Sequence, residues 1–201
     1  MKIKEIIKES NEDIIKKLRN NCSQTIELMK KSNEAIYHGI HNSYPDIEKI
    51  KPLKHRMPRD MPKPIHYSIN DYLNEKEIKT NRSNSIFGLK EINKDYGDKI
   101  FVLFPVNNAN ISWFEQSEDL YISLRKYLEK KYKKNLDQIT KNEIDKNDFK
   151  QFLDTLEPNT SLEEYFYNKN SKIEILISSP VYVVKNKIFE TTNFKEQIGL
   201  L

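Results

Sequence analysis

The chain has 201 residues, a mass of 24.0 kDa and 34 Lys and Arg against 30 Asp and Glu, a formal net charge of +4. Its apolar fraction of 37% is below the roughly 45–50% of an average globular protein, yet aromatics reach 10%, which argues against wholesale disorder. No apolar run approaches the roughly 18–20 residues of a membrane span, Cys22 as the single cysteine excludes an internal disulfide framework and a cysteine-based zinc site, and the opening MKIKEIIKESNEDII lacks a signal-peptide core, so a soluble, cytoplasmic protein without membrane association is expected.

The first thirty residues read as helix, since Ile3, Ile6, Ile7, Ile14, Ile15 and Leu18 recur at three- and four-residue spacings with Lys and Glu between them. Asn20-Asn21 interrupts the pattern, and Ser23 is the expected N-cap of a second helix over residues 24–31. Residues 35–40 form a short apolar run closed by turn formers, which reads as a buried strand. Pro45, Pro52, Pro58, Pro62 and Pro64 mark a loop, with Pro64 in the first turn of a helix that runs to about residue 75 and carries Ile65, Ile69 and Leu73 on one face. Ser85-Ile86-Phe87 reads as a second strand, residues 91–96 as a helical turn stopped at Gly97, and residues 99–105 as the clearest strand of the first half.

Residues 117–134 are helical in pattern and highly charged, and residues 136–168 read as further short helices with Asp and Thr caps. Residues 173–177 and 181–184 are strand-like around Ser178-Ser179-Pro180, the last strand reaching about Phe189. The whole is expected to form one domain over residues 1–201, with N-terminal helices over 1–32 and a helical insertion over 117–168. Helices and strands do not alternate strictly, which predicts an α+β fold with a mostly antiparallel sheet. With only four glycines and no GxGxxG, GxxxxGKS or GxSxG, dinucleotide-fold, P-loop and hydrolase-elbow functions have no support.

Four histidines, His38, His41, His55 and His66, include no HExxH-type pair, so no metal site is expected. His38 reads either as a buried imidazole holding backbone or as a functional group. Glu174 is an acid inside Ile173-Glu174-Ile175-Leu176-Ile177, where alternation puts it with Leu176 on one face and the isoleucines on the other. It is either a solvent-facing carboxylate or one held by a rigid strand against a cleft. Only five Arg accompany 29 Lys, so Arg56, Arg59 and Arg82 mark places where a bidentate fork for carboxylate or phosphate is in demand, although residues 56–62 equally read as a clasp between Arg59 and Asp60. Trp113 reads as core.

Taken together, three separated segments resemble the ADP-ribosyltransferase superfamily. Tyr37-His38-Gly39 is similar to the first-strand His-Gly of the branch that contains poly(ADP-ribose) polymerase and diphtheria toxin. Ile86-Phe87 followed by Tyr96 resembles its second motif, and Glu174-Ile175-Leu176-Ile177 its last. Cys22, residues 56–62, Arg82-Ser83-Asn84-Ser85-Ile86-Phe87, Tyr96-Gly97, Phe104-Pro105, Trp113 and Asp119-Leu120 are also similar in order and spacing to uncharacterised phage-encoded members. The likeness spans most of residues 20–185. His38 stands where those phage relatives usually have Arg, and Phe87 where the His branch has Tyr. Gly88-Leu89 follows Phe87 in place of the Ser-Thr-Ser of the Arg branch, and Lys172 replaces the Glu or Gln of arginine-directed enzymes.

The resemblance implies a split antiparallel sheet around an NAD cleft and an NAD-dependent mono-ADP-ribosyltransferase, a phage or toxin effector, with NAD as substrate and no metal. It implies Glu174 and His38 as catalytic residues, and His38, Gly39, Arg56, Arg82, Ser85, Phe87 and Tyr96 as the NAD-binding set. Glu174 would stabilise the oxocarbenium-like ribose as nicotinamide departs. At about 4 Å and an effective dielectric near 20 that attraction is about 4 kcal/mol before desolvation. The implied partner beyond NAD is a macromolecular acceptor, nucleic acid or protein, with Lys172 and the basic balance favouring nucleic acid and the Lys126 to Lys134 cluster as its contact. The competing expectations are an NAD glycohydrolase on the same fold and a non-catalytic basic module that binds nucleic acid.

Overall fold

Apolar residues at alternate positions of short segments and at helical spacing elsewhere sort this chain into two antiparallel sheets flanked by helices, an α+β fold. The computed structural model describes residues 11–40, 44–57, 61–93, 97–135 and 145–201. Two N-terminal helices, α1 (Asn11–Asn21) and α2 (Ser23–Ser32), precede β1 (Ile36–Ile40), β2 (Ile47–Ile50) and α3 (Lys63–Glu75). Then come β3 (Ile86–Gly88), β4 (Lys99–Pro105), β5 (Ile111–Phe114), α4 (Leu120–Tyr132) and α5 (Lys146–Asp154). The chain closes with β6 (Pro158–Asn159), α6 (Leu162–Tyr167), β7 (Ile175–Ile177), β8 (Val181–Lys185), α7 (Asn186–Phe189) and α8 (Thr192–Ile198).

One four-stranded sheet has the order β1-β4-β8-β2 and the other β3-β7-β5-β6, with every neighbouring pair antiparallel. The two sheets are stitched where β1 passes the end of β3. Tyr37 N donates to Leu89 O at 2.6 Å and Leu89 N returns a bond to Tyr37 O at 3.0 Å. Gly88 is what lets them approach, since a Cβ there would lie 2.4 Å from Ile36 Cγ2.

Side-chain alternation on β7 divides the interior in two. Ile173, Ile175 and Ile177 point into the larger core with Phe101, Leu103, Trp113, Tyr165 and Val183, covered by α1, α2 and α8. Leu176 points the other way, into a second cluster built from Ile65, Ile69 and Leu73 of α3, Leu124 and Leu128 of α4, and Phe152 of α5. Glu174 shares the parity of Leu176 and lies on that second side of the sheet.

Several elements differ from expectation. Residues 47–50, read as proline-rich loop, form β2, because Pro45 and Pro52 flank an edge strand instead of interrupting a ladder. Cys22, not Ser23, is the residue before α2; Ser23 is the first helical residue and its hydroxyl donates to Asn107 Oδ1 at 3.3 Å. The last strand ends at Lys185, and the Ile188-Phe189 pair belongs to a helical turn that brings Phe189 onto Phe104. Beyond it α8 is capped by Thr191 and closed by Gly199 at φ 81°. Residues 91–93 are not helical; the rest of that expected turn, Tyr96 included, lies outside the described residues, as do residues 1–10, 136–144, His41 and Arg59. Within 117–168, α4 and α5 line the second cluster, but β6 pairs with β5 and α6 places Leu162, Tyr165 and Phe166 in the larger core. Among the described residues, no helix is long and apolar enough to cross a membrane.

Candidate active site

The chemistry-bearing residues gather where β1, β3 and the entry to β7 meet the loops before α3 and β3. Burial pushes the His38 imidazole pKa down to about 4, outweighing the nearby Phe87 backbone, which favours the protonated ring, while the Arg56 charge acts in the same direction as burial. His38 is therefore neutral at physiological pH, although the residue keeps partial access to solvent.

On β3, Ile86 and Gly88 are buried while Phe87 turns its ring to the other face. There it carries two guanidinium groups, Arg56 at 4.1 Å and Arg82 at 4.7 Å from the ring centroid. Each such contact is worth about 0.5–2 kcal/mol, the higher end applying where water is excluded.

Arg82 extends further, its Nη1 donating to Glu174 Oε2 at 2.6 Å, with both residues 8% exposed. Burial raises the Glu174 pKa above the ordinary carboxylate value, and Asp119 adds to this; Arg82 and Arg56 act against it. The Glu174 backbone is fixed by its own bond, N donating to Glu118 O at 2.9 Å. Arg56 and Arg82 thus share the Phe87 ring beside a neutral imidazole, with the Glu174 and Asp119 carboxylates close by, and their forked donors are of the kind that meets an anionic group. Arg82 Nε, buried and without a hydrogen-bond partner among the described residues, leaves a further donor there.

A buried polar network holds the loop that presents Arg82. Its backbone N donates to Asn70 Oδ1 at 2.9 Å, and Asn70 Nδ2 donates to Ser83 Oγ at 2.7 Å and lies 3.2 Å from His66 Nε2. His66, fully buried on α3, sits 2.8 Å from Ser83 Oγ. Burial, then Arg82 and Arg56, lower the His66 pKa, keeping it neutral. Ser83 also receives the strap before α3, through Arg56 N donating to Ser83 O at 2.8 Å.

Of the residues expected at the site, His38, Arg56, Arg82, Phe87 and Glu174 are brought together. Gly39 lies one position further along β1, opposite Ile100, and is packed by Gly97, whose Cβ would fall 2.8 Å from the Gly39 carbonyl carbon. The Ser85 hydroxyl is turned to Asn84 Oδ1 at 3.1 Å and does not join the cluster, whereas Trp113 is core, its Nε1 donating to Ser161 O at 3.1 Å. Asn70 and Ser83 were not expected there, and His66 was counted only among the histidines. The i,i+4 placement of His66 and Asn70 beside Ile65 and Ile69, at the edge of the apolar face of α3, is the signal that marks them.

A depression of about 390 Å³ lies beside the start of α4, bounded by Glu115, Glu118, Asp119, Ser123 and Lys126; it touches the backbone partner of Glu174, not its carboxylate. Among the described residues, no three His, Cys, Asp or Glu side chains are placed to hold a metal ion. Comparison with protein-family models, with curated proteins and with solved structures finds no match to this chain.

Proposed function

We propose that the chain is an NAD-dependent mono-ADP-ribosyltransferase, built as a split antiparallel sheet around its substrate cleft, that uses Glu174 as its catalytic carboxylate. The observation that carries this reading is the convergence of His38, Phe87 and Glu174, from three separate strands or strand entries, with two guanidinium groups on the same phenyl ring.

In this reading the guanidinium groups of Arg56 and Arg82 meet the NAD pyrophosphate and the Phe87 face lines the nicotinamide side. His38, neutral and beside the Phe87 backbone, orients a ribose hydroxyl. The bond from ribose to nicotinamide nitrogen breaks with its electron pair leaving on nicotinamide. The ribose carbon becomes cationic beside Glu174, and an acceptor nucleophile adds there as it loses its proton. Arg82 opposes the effect of burial and favours the ionised form of Glu174 that this role uses. Gly39, the next residue along β1, and Tyr96 are assigned to the cleft by the resemblance alone.

Incubation of the protein with labelled NAD and separate pools of RNA, DNA and lysate protein tests the reading. Nicotinamide release with label on a macromolecule is expected, and Glu174→Gln should lose about 10²-fold or more in turnover. Release of ADP-ribose alone identifies a glycohydrolase. Intact NAD with every pool, or full turnover by Glu174→Gln, overturns the assignment.

A further inference from the structure

We infer that the strap before α3 together with the exposed side of its first turns, residues 51–57 and 63–67, is the acceptor-docking surface, and that the acceptor is single-stranded nucleic acid. The inference rests on the transferase reading and deepens it.

Charge is the first argument. Between residues 49 and 70 the sequence holds Lys49, Lys51, Lys54, Arg56, Arg59 and Lys63 against the single acid Asp60. Lys51, Lys54 and Lys63 are exposed, and none of them makes an ion pair among the described residues. On the alternative basic stretch, on α4, Arg125 pairs with Glu129 and Lys131 with Asp148, and Lys126 lines a depression together with Glu115, Glu118 and Asp119.

The second argument is what stands between those cations. Leu53 is 70% exposed, Tyr67 51% and Met57 39%, and the Tyr67 hydroxyl donates to Met57 Sδ at 3.8 Å, tying strap to helix. A phosphate backbone satisfies the lysines, and an unpaired base stacks on Tyr67 beside Met57; a duplex keeps its bases stacked internally and offers no such face.

Position is the third. The same strap delivers Arg56 to Phe87 and bonds to Ser83, while the residue before Tyr67 is His66, whose ring packs edge-on to Tyr67 at 5.7 Å and bonds to Ser83. The surface therefore borders the catalytic cluster, where an acceptor must lie.

Fluorescence anisotropy with labelled dT20 and U20 oligonucleotides over a salt series tests this. Salt-dependent binding is expected, weaker for a duplex of equal length. Tyr67→Ala should weaken it about tenfold. Lys51→Gln/Lys54→Gln/Lys63→Gln should reduce the log–log salt slope by about 2, and Lys126→Gln/Lys130→Gln should leave binding unchanged. The surface is overturned if neither oligonucleotide binds, if duplex binds equally, if the strap and Tyr67 variants bind like the parent, or if only the α4 variant loses binding. Nicotinamide release separates the two proposals: strap variants that consume NAD but lose transfer to the oligonucleotide support both. Oligonucleotide binding at the strap without NAD consumption by the parent keeps the surface and removes the transferase.

Discussion

Arg82 and Glu174, 92 positions apart, meet through a 2.6 Å bond between Nη1 and Oε2, with side-chain exposures of 9% and 7%. A pair so buried is costly to desolvate and costlier to break, because removing one partner strands the other's charge.

Arg82→Ala is therefore expected to destabilise the protein by about 3–5 kcal/mol. Arg82→Met combined with Glu174→Leu should recover most of that loss, since neither charge is then left alone. Urea unfolding of the parent, Arg82→Ala, Arg82→Met, Glu174→Leu and the double variant checks this; additive losses in the double variant would refute a direct pairing.

His38 gives a stability dependence with a definite sign. Its folded pKa is depressed to about 4 from an ordinary value of 6.5, so between these values the unfolded chain binds more of this proton. The contribution of His38 is fully present above about pH 6.5 and is lost as pH falls towards 4. His66 adds in the same direction, while Glu174, raised by burial, acts oppositely by favouring the folded state at low pH. The informative quantity is thus the difference between parent and His38→Gln. The variant should lose less stability than the parent between pH 7 and pH 4.5 in urea melts, and parallel curves would count against a neutral buried imidazole.

Cys22 should be inert in the folded protein. Its thiol is buried against Phe104 O at 3.3 Å and burial pushes its pKa up to about 12. An aromatic disulfide reagent at pH 8 should modify it only in step with unfolding. Rapid labelling of native protein, followed by absorbance, would show the site to be open.

Gly88 and Gly97 separate two kinds of close approach. At Gly88 a methyl would meet the Ile36 side chain at 2.4 Å, whereas at Gly97, at φ 156°, it would meet the Ile40 backbone nitrogen at 2.4 Å and carbonyl carbon at 2.7 Å. A side chain can shift and a strand backbone cannot without breaking its ladder. Gly88→Ala is expected to cost about 1–3 kcal/mol, and Gly97→Ala more, as read by thermal melts; the reverse order would contradict the packing of β1.

Much of the fold was legible where burial is one-dimensional. The run from Lys99 to Pro105 is strand at both levels, and Ile65, Ile69 and Leu73 announce the inner face of α3. Alternation around Glu174 correctly separated Leu176 from Ile173, Ile175 and Ile177. β2 and α8 were missed for opposite reasons: prolines at the ends of Ile47–Ile50 mimic a loop, and the Phe194, Ile198 and Gly199 spacing of a short helix was overshadowed by the apolar strand before it.

For the site, the residue types were readable and their partnerships were not. The scarcity of Arg beside Lys singled out the arginines, the apolar run around it singled out Glu174, and the resemblance singled out His38. That Arg82 pairs with Glu174, that Arg56 shares the Phe87 ring with it, and that His66, Asn70 and Ser83 brace the loop depend on contacts between segments far apart in the chain. The sequence by itself determined the period of each element and the rarity of its charged groups, since both are local properties. Tertiary structure alone decided which charges met, because the cost of burying a charge is set by the partner that three dimensions bring to it.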